Sequence, residues 1–149
     1  MRHKSRLAEF HDADILSATL MQTERGILDV RLTSPSIRTC IGVLIFVFAS
    51  GIQHDCHAHL ASLKKYSLPD HPVFNSLICP HYFAECMIYL ALSIIAAPSG
   101  HFLNGTIVCA LIFVVVNLGV TADGTKRWYE EKFGADKVAG RWRMIPYVY

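Results

Sequence analysis

Charge is what this sequence lacks over its longest stretch. From Cys86 to Ala122, 37 residues, there is no Asp, Glu, Lys or Arg, and His101 is the only titratable base. A membrane-crossing helix needs about 20 apolar residues at ~1.5 Å of rise each. The run is therefore too long for one crossing and about right for two, and Pro98-Ser99-Gly100 supplies a turn in its middle. Other absences narrow the chemistry. The five cysteines form no C-x-x-C pair, which argues against a disulfide framework and a thiolate zinc site. Neither a G-x-G-x-x-G nor a Walker A motif is present, so any nucleotide must bind outside a Rossmann or P-loop fold. A net charge of +2 is too small to imply nucleic acid, and no basic patch is interleaved with aromatics as a single strand would require. Met1–Ser36 is interrupted by Arg2, Lys4, Glu9, Asp12 and Asp14 and has no apolar core, so it does not read as a signal peptide.

What is present fits a membrane. Of 149 residues, 52% are hydrophobic and 17% charged, against about 25% charged in soluble domains. The expected fold is all-α, a multi-pass membrane helical bundle with about three spans. Residues 1–38 form a polar segment of mixed charge, with a helix expected from about Ala13 to Val30. Residues 39–149 form the membrane domain. Its first span starts in the charge-free Thr39–Gln53 stretch and continues through His54-Asp55-Cys56-His57 toward Lys64. Lys64–Pro80 reads as a loop, because Pro69, Pro72 and Pro80 punctuate it. The hairpin helices are expected at Tyr82–Ala97 and Phe102–Ala122, with a polar tail after Asp123-Gly124. From Asp123 onward there are six basic residues against four acidic ones, together with Trp128, Tyr129, Phe133, Trp142, Tyr147 and Tyr149. A hairpin returns the chain to the side it left. The Lys64-Lys65 loop and the basic tail should thus share one face, cytoplasmic by the positive-inside rule.

Three groups of residues could carry chemistry. Gln53, His57 and Lys64 are spaced i, i+4 and i+11, which places them within about 40° of one another on a continuous helix. Such a stripe faces a cavity or a partner, or else it is a helix end emerging among headgroups with its long side chains snorkelling. Glu85 is the only formal charge between Asp70 and Asp123. It is accounted for by the dipole at a helix N-terminus, or it joins His81 and Tyr82 in binding a polar ligand. The tail residues Lys126, Arg127, Lys132, Arg141 and Arg143 either anchor to anionic headgroups or clamp a phosphate-bearing cofactor. The His54-Asp55-Cys56-His57-Ala58-His59 segment is a single histidine box, and no second box surrounds His71, His81 or His101; a metal is not expected.

The ordered motifs Gln53-x-x-x-His57-x-x-Leu60-x-x-Leu63-Lys64-Lys65, Cys79-Pro80-His81-Tyr82-x-x-Glu85, Arg127-Trp128-Tyr129-x-x-x-Phe133 and Arg143-Met144-Ile145-Pro146-Tyr147 resemble the C-terminal region of the steroid 5-alpha-reductase family. Gln53, His57 and Asn117 bring the resemblance closest to its polyprenal reductase branch, especially the fungal members. It covers about Ile41 to Tyr149. The resemblance implies a seven-helix enzyme of the endoplasmic reticulum membrane, with NADPH in a cavity that opens to the cytosol. It implies a polyisoprenoid lipid substrate, with the α-isoprene double bond of polyprenal saturated to give dolichal, on the route to dolichol for protein N-glycosylation.

Carried over position by position, Gln53, His57, Lys64, Tyr82, Glu85 and Tyr129 match cofactor-contacting positions, to which Asn117 and Arg127 are added. His81 stands where the family usually has Asn, and Lys64 where Arg is common. The family's substrate tunnel, its tyrosine and its Gln/Glu-type pair have no counterpart in Met1–Ser36. The catalytic acid is therefore unassigned, and the expectation is that this chain by itself is a cofactor-side half without activity. Two readings from other classes stay open: an isoprenylcysteine-type membrane methyltransferase using S-adenosylmethionine, and a non-enzymatic membrane subunit.

Overall fold

The computed structural model describes residues 35–149, and the helix expected at Ala13–Val30 lies outside them. Three α-helices make the frame: α1 (Ile37–Ser62), α2 (Pro80–Ile95) and α3 (Gly105–Phe133). Each start has a local cause. The Ser36 side chain accepts the Thr39 N–H at α1, Pro80 occupies the first turn of α2, where its missing N–H costs nothing, and Asn104 accepts the N–H groups of Thr106 and Ile107 at α3.

α1 and α3 are long and apolar enough to cross a membrane. α2, with 16 residues, rises only ~24 Å, short of the ~30 Å hydrocarbon core. Two of the three expected spans therefore meet the length requirement.

The hairpin turns where Pro98-Ser99-Gly100 predicted, with Gly100 at φ 82°. Two expected boundaries move. α1 stops at Ser62, and Leu63 turns extended (φ −70°, ψ 143°). The helix can end there because the Ser62 hydroxyl and the Leu63 N–H bond back to the carbonyls of His59 and Leu60. Lys64 consequently leaves the helical stripe. At the other boundary, α3 does not end at Asp123-Gly124 but continues to Phe133. Gly124 in a helix interior costs only about 1 kcal/mol. The Asp123–Arg127 pair at i, i+4 bridges it, and Gly134 at φ 94° ends the helix instead.

α1 and α2 run antiparallel in close contact. A Cβ on Gly42 would lie 2.7 Å from Ile95 Cγ1 and 3.3 Å from the Ala91 carbonyl oxygen, so this approach requires glycine. The main buried cluster is not mid-bundle. Ile78, Cys79, Cys86, Ala122, Val138 and Met144 gather where the 63–79 loop and the C-terminal tail fold over the helix ends. A parallel bridge pairs Leu77 with Trp142, Arg141 donates to the Pro69 carbonyl and Lys126 to the Arg141 carbonyl. Loop and tail therefore do meet at one end of the helices.

Candidate functional site

At that same end, the antiparallel packing of α1 on α2 aligns residue 53 with 85 and residue 57 with 81. Gln53, one turn before His57, donates its side-chain amide to the Glu85 carboxylate across the interface. The His57 and His81 rings meet edge to face with centroids 5.1 Å apart, and Tyr82 packs on His81 at 4.3 Å. α3 closes the third side with Val114, Asn117 and Leu118. Together these eight residues enclose an open cavity of about 300 Å³. A Gln amide, an Asn amide, a carboxylate, two imidazoles and a phenol thus face one volume, with aliphatic side chains on one wall only.

Six of the nine expected cofactor residues line this cavity: Gln53, His57, His81, Tyr82, Glu85 and Asn117. Three do not. Lys64 is exposed beyond the end of α1, where its carbonyl accepts the N–H and hydroxyl of Ser67. Arg127 is exposed and pairs with Asp123 at 2.5 Å. Tyr129 packs against the buried cluster, in a row with Trp128 and Phe133. All three lie toward the same end as the cavity.

Sequence reasoning missed Asp123, whose two oxygens accept from Arg127 and from Arg143, the latter also at 2.5 Å. The i, i+4 spacing to Arg127 was a readable signal, whereas the reach to Arg143 was not. Val114 and Leu118 were also missed, having no polar atom to mark them. Beside the cavity, His71 Nε2 lies 3.2 Å from Asp55, and His59 Nε2 lies 3.6 Å from Asp70. Among the described residues, no three His, Cys, Asp or Glu side chains are arranged to hold a metal ion. Cys79, in the loop ahead of α2, has its thiol pushed up to about 12 by burial. It is a neutral packing residue at pH 7, not a nucleophile.

The polar set suits the carboxamide of a nicotinamide ring. A carboxamide needs an acceptor for its N–H groups and a donor for its oxygen, and Glu85 and Gln53 stand side by side as that pair. The phosphates of a dinucleotide need cations, and Lys64 and Arg127 are both solvent-accessible at this end of the helices.

The chain is similar to known proteins. Residues 22–149 match the 3-oxo-5-alpha-steroid 4-dehydrogenase family, a match that begins within the segment preceding the described residues. Polyprenal reductase 2 of Oryza sativa subsp. japonica is 35% identical over 114 residues, covering 72% of this chain and 31% of the relative. The polyprenal reductase of Saccharomyces cerevisiae is 34% identical over 125 residues, covering 82% of this chain and 46% of the relative. The polyprenal reductase of Xenopus tropicalis is 29% identical over 119 residues, covering 73% and 37%. The chain thus spans from about a third to just under half the length of these curated relatives. No solved structure matches.

Proposed function

The chain belongs to the 3-oxo-5-alpha-steroid 4-dehydrogenase (steroid 5-alpha-reductase) family, and on that premise we propose that its cavity is the nicotinamide end of an NADPH site in a polyprenal reductase. The observation that carries the reading is the convergence of Gln53, His57, His81, Tyr82, Glu85 and Asn117, drawn from three helices, on one cavity. Bound there, NADPH would supply the hydride, and water or an acid the proton, that together saturate the α-isoprene double bond of a polyprenal.

The chain's own residues bind and orient. Glu85 accepts from the carboxamide N–H groups, and Gln53 donates to its oxygen. Asn117 adds a second amide from α3, and the His57, His81 and Tyr82 rings, packed edge to face, form an aromatic wall. Val114 and Leu118 keep water from the remaining wall. Lys64 meets phosphate as a point charge where a guanidinium would offer a fork, and Arg127 adds a second cation. Localisation follows from the reading: a multi-pass protein of the endoplasmic reticulum membrane, with the cavity end facing the cytosol, acting on a polyisoprenoid lipid on the route to dolichol.

The test is ligand-dependent thermal stability of the detergent-solubilised chain. NADPH at about 100 times its Kd stabilises by ~2.7 kcal/mol, a rise of a few degrees in Tm for a protein this size. S-adenosylmethionine should leave Tm unchanged. A shift with S-adenosylmethionine and none with NADPH would replace the reductase reading by the methyltransferase one.

A further inference from the structure

A second cluster, separate from the cavity, sits where the loop after α1 meets the last turns of α3. Tyr66 is exposed over 58% of its surface and holds a left-handed backbone, φ 65°, a conformation disfavoured for a residue with a Cβ. Its ring carries two ammonium groups: Lys65 Nζ at 4.9 Å from the centroid, and Lys132 Nζ, reaching across from α3, at 5.2 Å. Trp128, 40% exposed, lies beside it with ring centroids 6.3 Å apart. Two like charges drawn to one ring repel each other. Among the described residues, neither lysine has a carboxylate within ion-pair distance. An anion between them would remove the repulsion.

The depth of the cluster identifies that anion. Trp128 lies six residues past Ala122, the end of the uncharged stretch, about 9 Å further along a continuous helix. The polar layer on each side of the hydrocarbon core is ~5–8 Å thick, so Trp128 stands at its outer edge. Tryptophan and tyrosine favour this interface, and exposed lysines there attract anionic lipids.

We propose that Lys65, Tyr66, Trp128 and Lys132 form a binding site for the phosphate headgroup of an anionic phospholipid in the leaflet that borders the cavity. The rings lie beside the headgroup, while the two ammonium groups share the phosphate. The site goes beyond the reductase reading and does not depend on it, because none of its four residues lines the cavity.

Native mass spectrometry of the full chain in detergent, with an equimolar mixture of phosphatidylinositol and phosphatidylcholine, tests it. The parent chain should retain phosphatidylinositol about tenfold over phosphatidylcholine, as two surface lysines can supply. Lys65→Gln with Lys132→Gln should bring the ratio close to one without lowering Tm or NADPH affinity. Tyr66→Phe, which keeps the ring, and Lys137→Gln, outside the cluster, should both keep the preference. The proposal is overturned by equal retention of the two lipids in the parent chain or by an undiminished preference in the double variant. It is also overturned if NADPH affinity falls in step with lipid preference, which would assign the lysines to the cofactor.

Discussion

Polar side chains at the hairpin-turn end of the helical frame and those that line the cavity are used in opposite ways. At the hairpin-turn end, side chains are claimed by backbone. Arg38 donates to the carbonyls of Ala97 and His101. Asn104 caps α3 and also donates to the Ala96 carbonyl, while its own N–H bonds the Ser93 carbonyl. These contacts satisfy helix-end groups that lipid could not hydrate. At the cavity end, by contrast, Gln53, Glu85, His57, His81, Tyr82 and Asn117 border open volume. Their one mutual hydrogen bond joins two side chains, so it can be exchanged for a ligand without unmaking a helix. Polar residues at both ends look alike in a hydropathy profile. What distinguishes them is whether the backbone has taken their hydrogen bonds.

Substitutions at the two ends should therefore fail differently. The largest effect is expected from Glu85→Ala. Loss of a charged acceptor should weaken NADPH binding about 100-fold, or ~2.7 kcal/mol, with Tm of the free protein little changed. A Tm loss in proportion to the affinity loss would mean that Glu85 is a packing residue and the comparison is wrong. Next is Arg38→Ala, expected to lower stability by roughly 2 kcal/mol through loss of two charge-assisted hydrogen bonds, with NADPH affinity held within about twofold. A large change in affinity would show that the two ends are not independent. Asn104→Ala should cost about 1 kcal/mol, the usual value of an N-cap, again visible in Tm and not in binding. Smallest is Asp123→Asn, which releases Arg143 and Arg127 at the cavity end. Limited trypsin digestion should then cut after Arg143 faster than in the parent chain, and equal rates would show that the tail is held by its backbone bonds alone.

Much of the frame was legible because it rests on short-range rules. The uncharged run set the hairpin, Pro98-Ser99-Gly100 its turn, and three prolines the loop after α1. Most of the cavity was legible too, through the order of Gln53, His57, His81, Tyr82 and Glu85 along the chain. The failures share a cause. Lys64 was placed on a stripe that assumed an unbroken helix, but two hydrogen bonds at Ser62 and Leu63 end it two residues too soon. The hairpin's second helix was stopped at Asp123-Gly124, where the local glycine signal is strong. The helix nevertheless runs through Gly124 and ends at Gly134.

By itself the sequence determined which segments must be helical and apolar, because lipid leaves backbone groups no other partner, and which polar residues are anomalous enough to ask about. Only the tertiary structure decided which of those residues share a volume. Bringing 53 beside 85 and 57 beside 81 depends on the antiparallel register of α1 on α2. That register is held by a close approach at Gly42, where any Cβ would meet Ile95. Contacts between residues far apart in the chain carry no local periodicity. The cavity, the reach of Arg143 to Asp123 and that of Lys132 to Tyr66 all arise from such contacts.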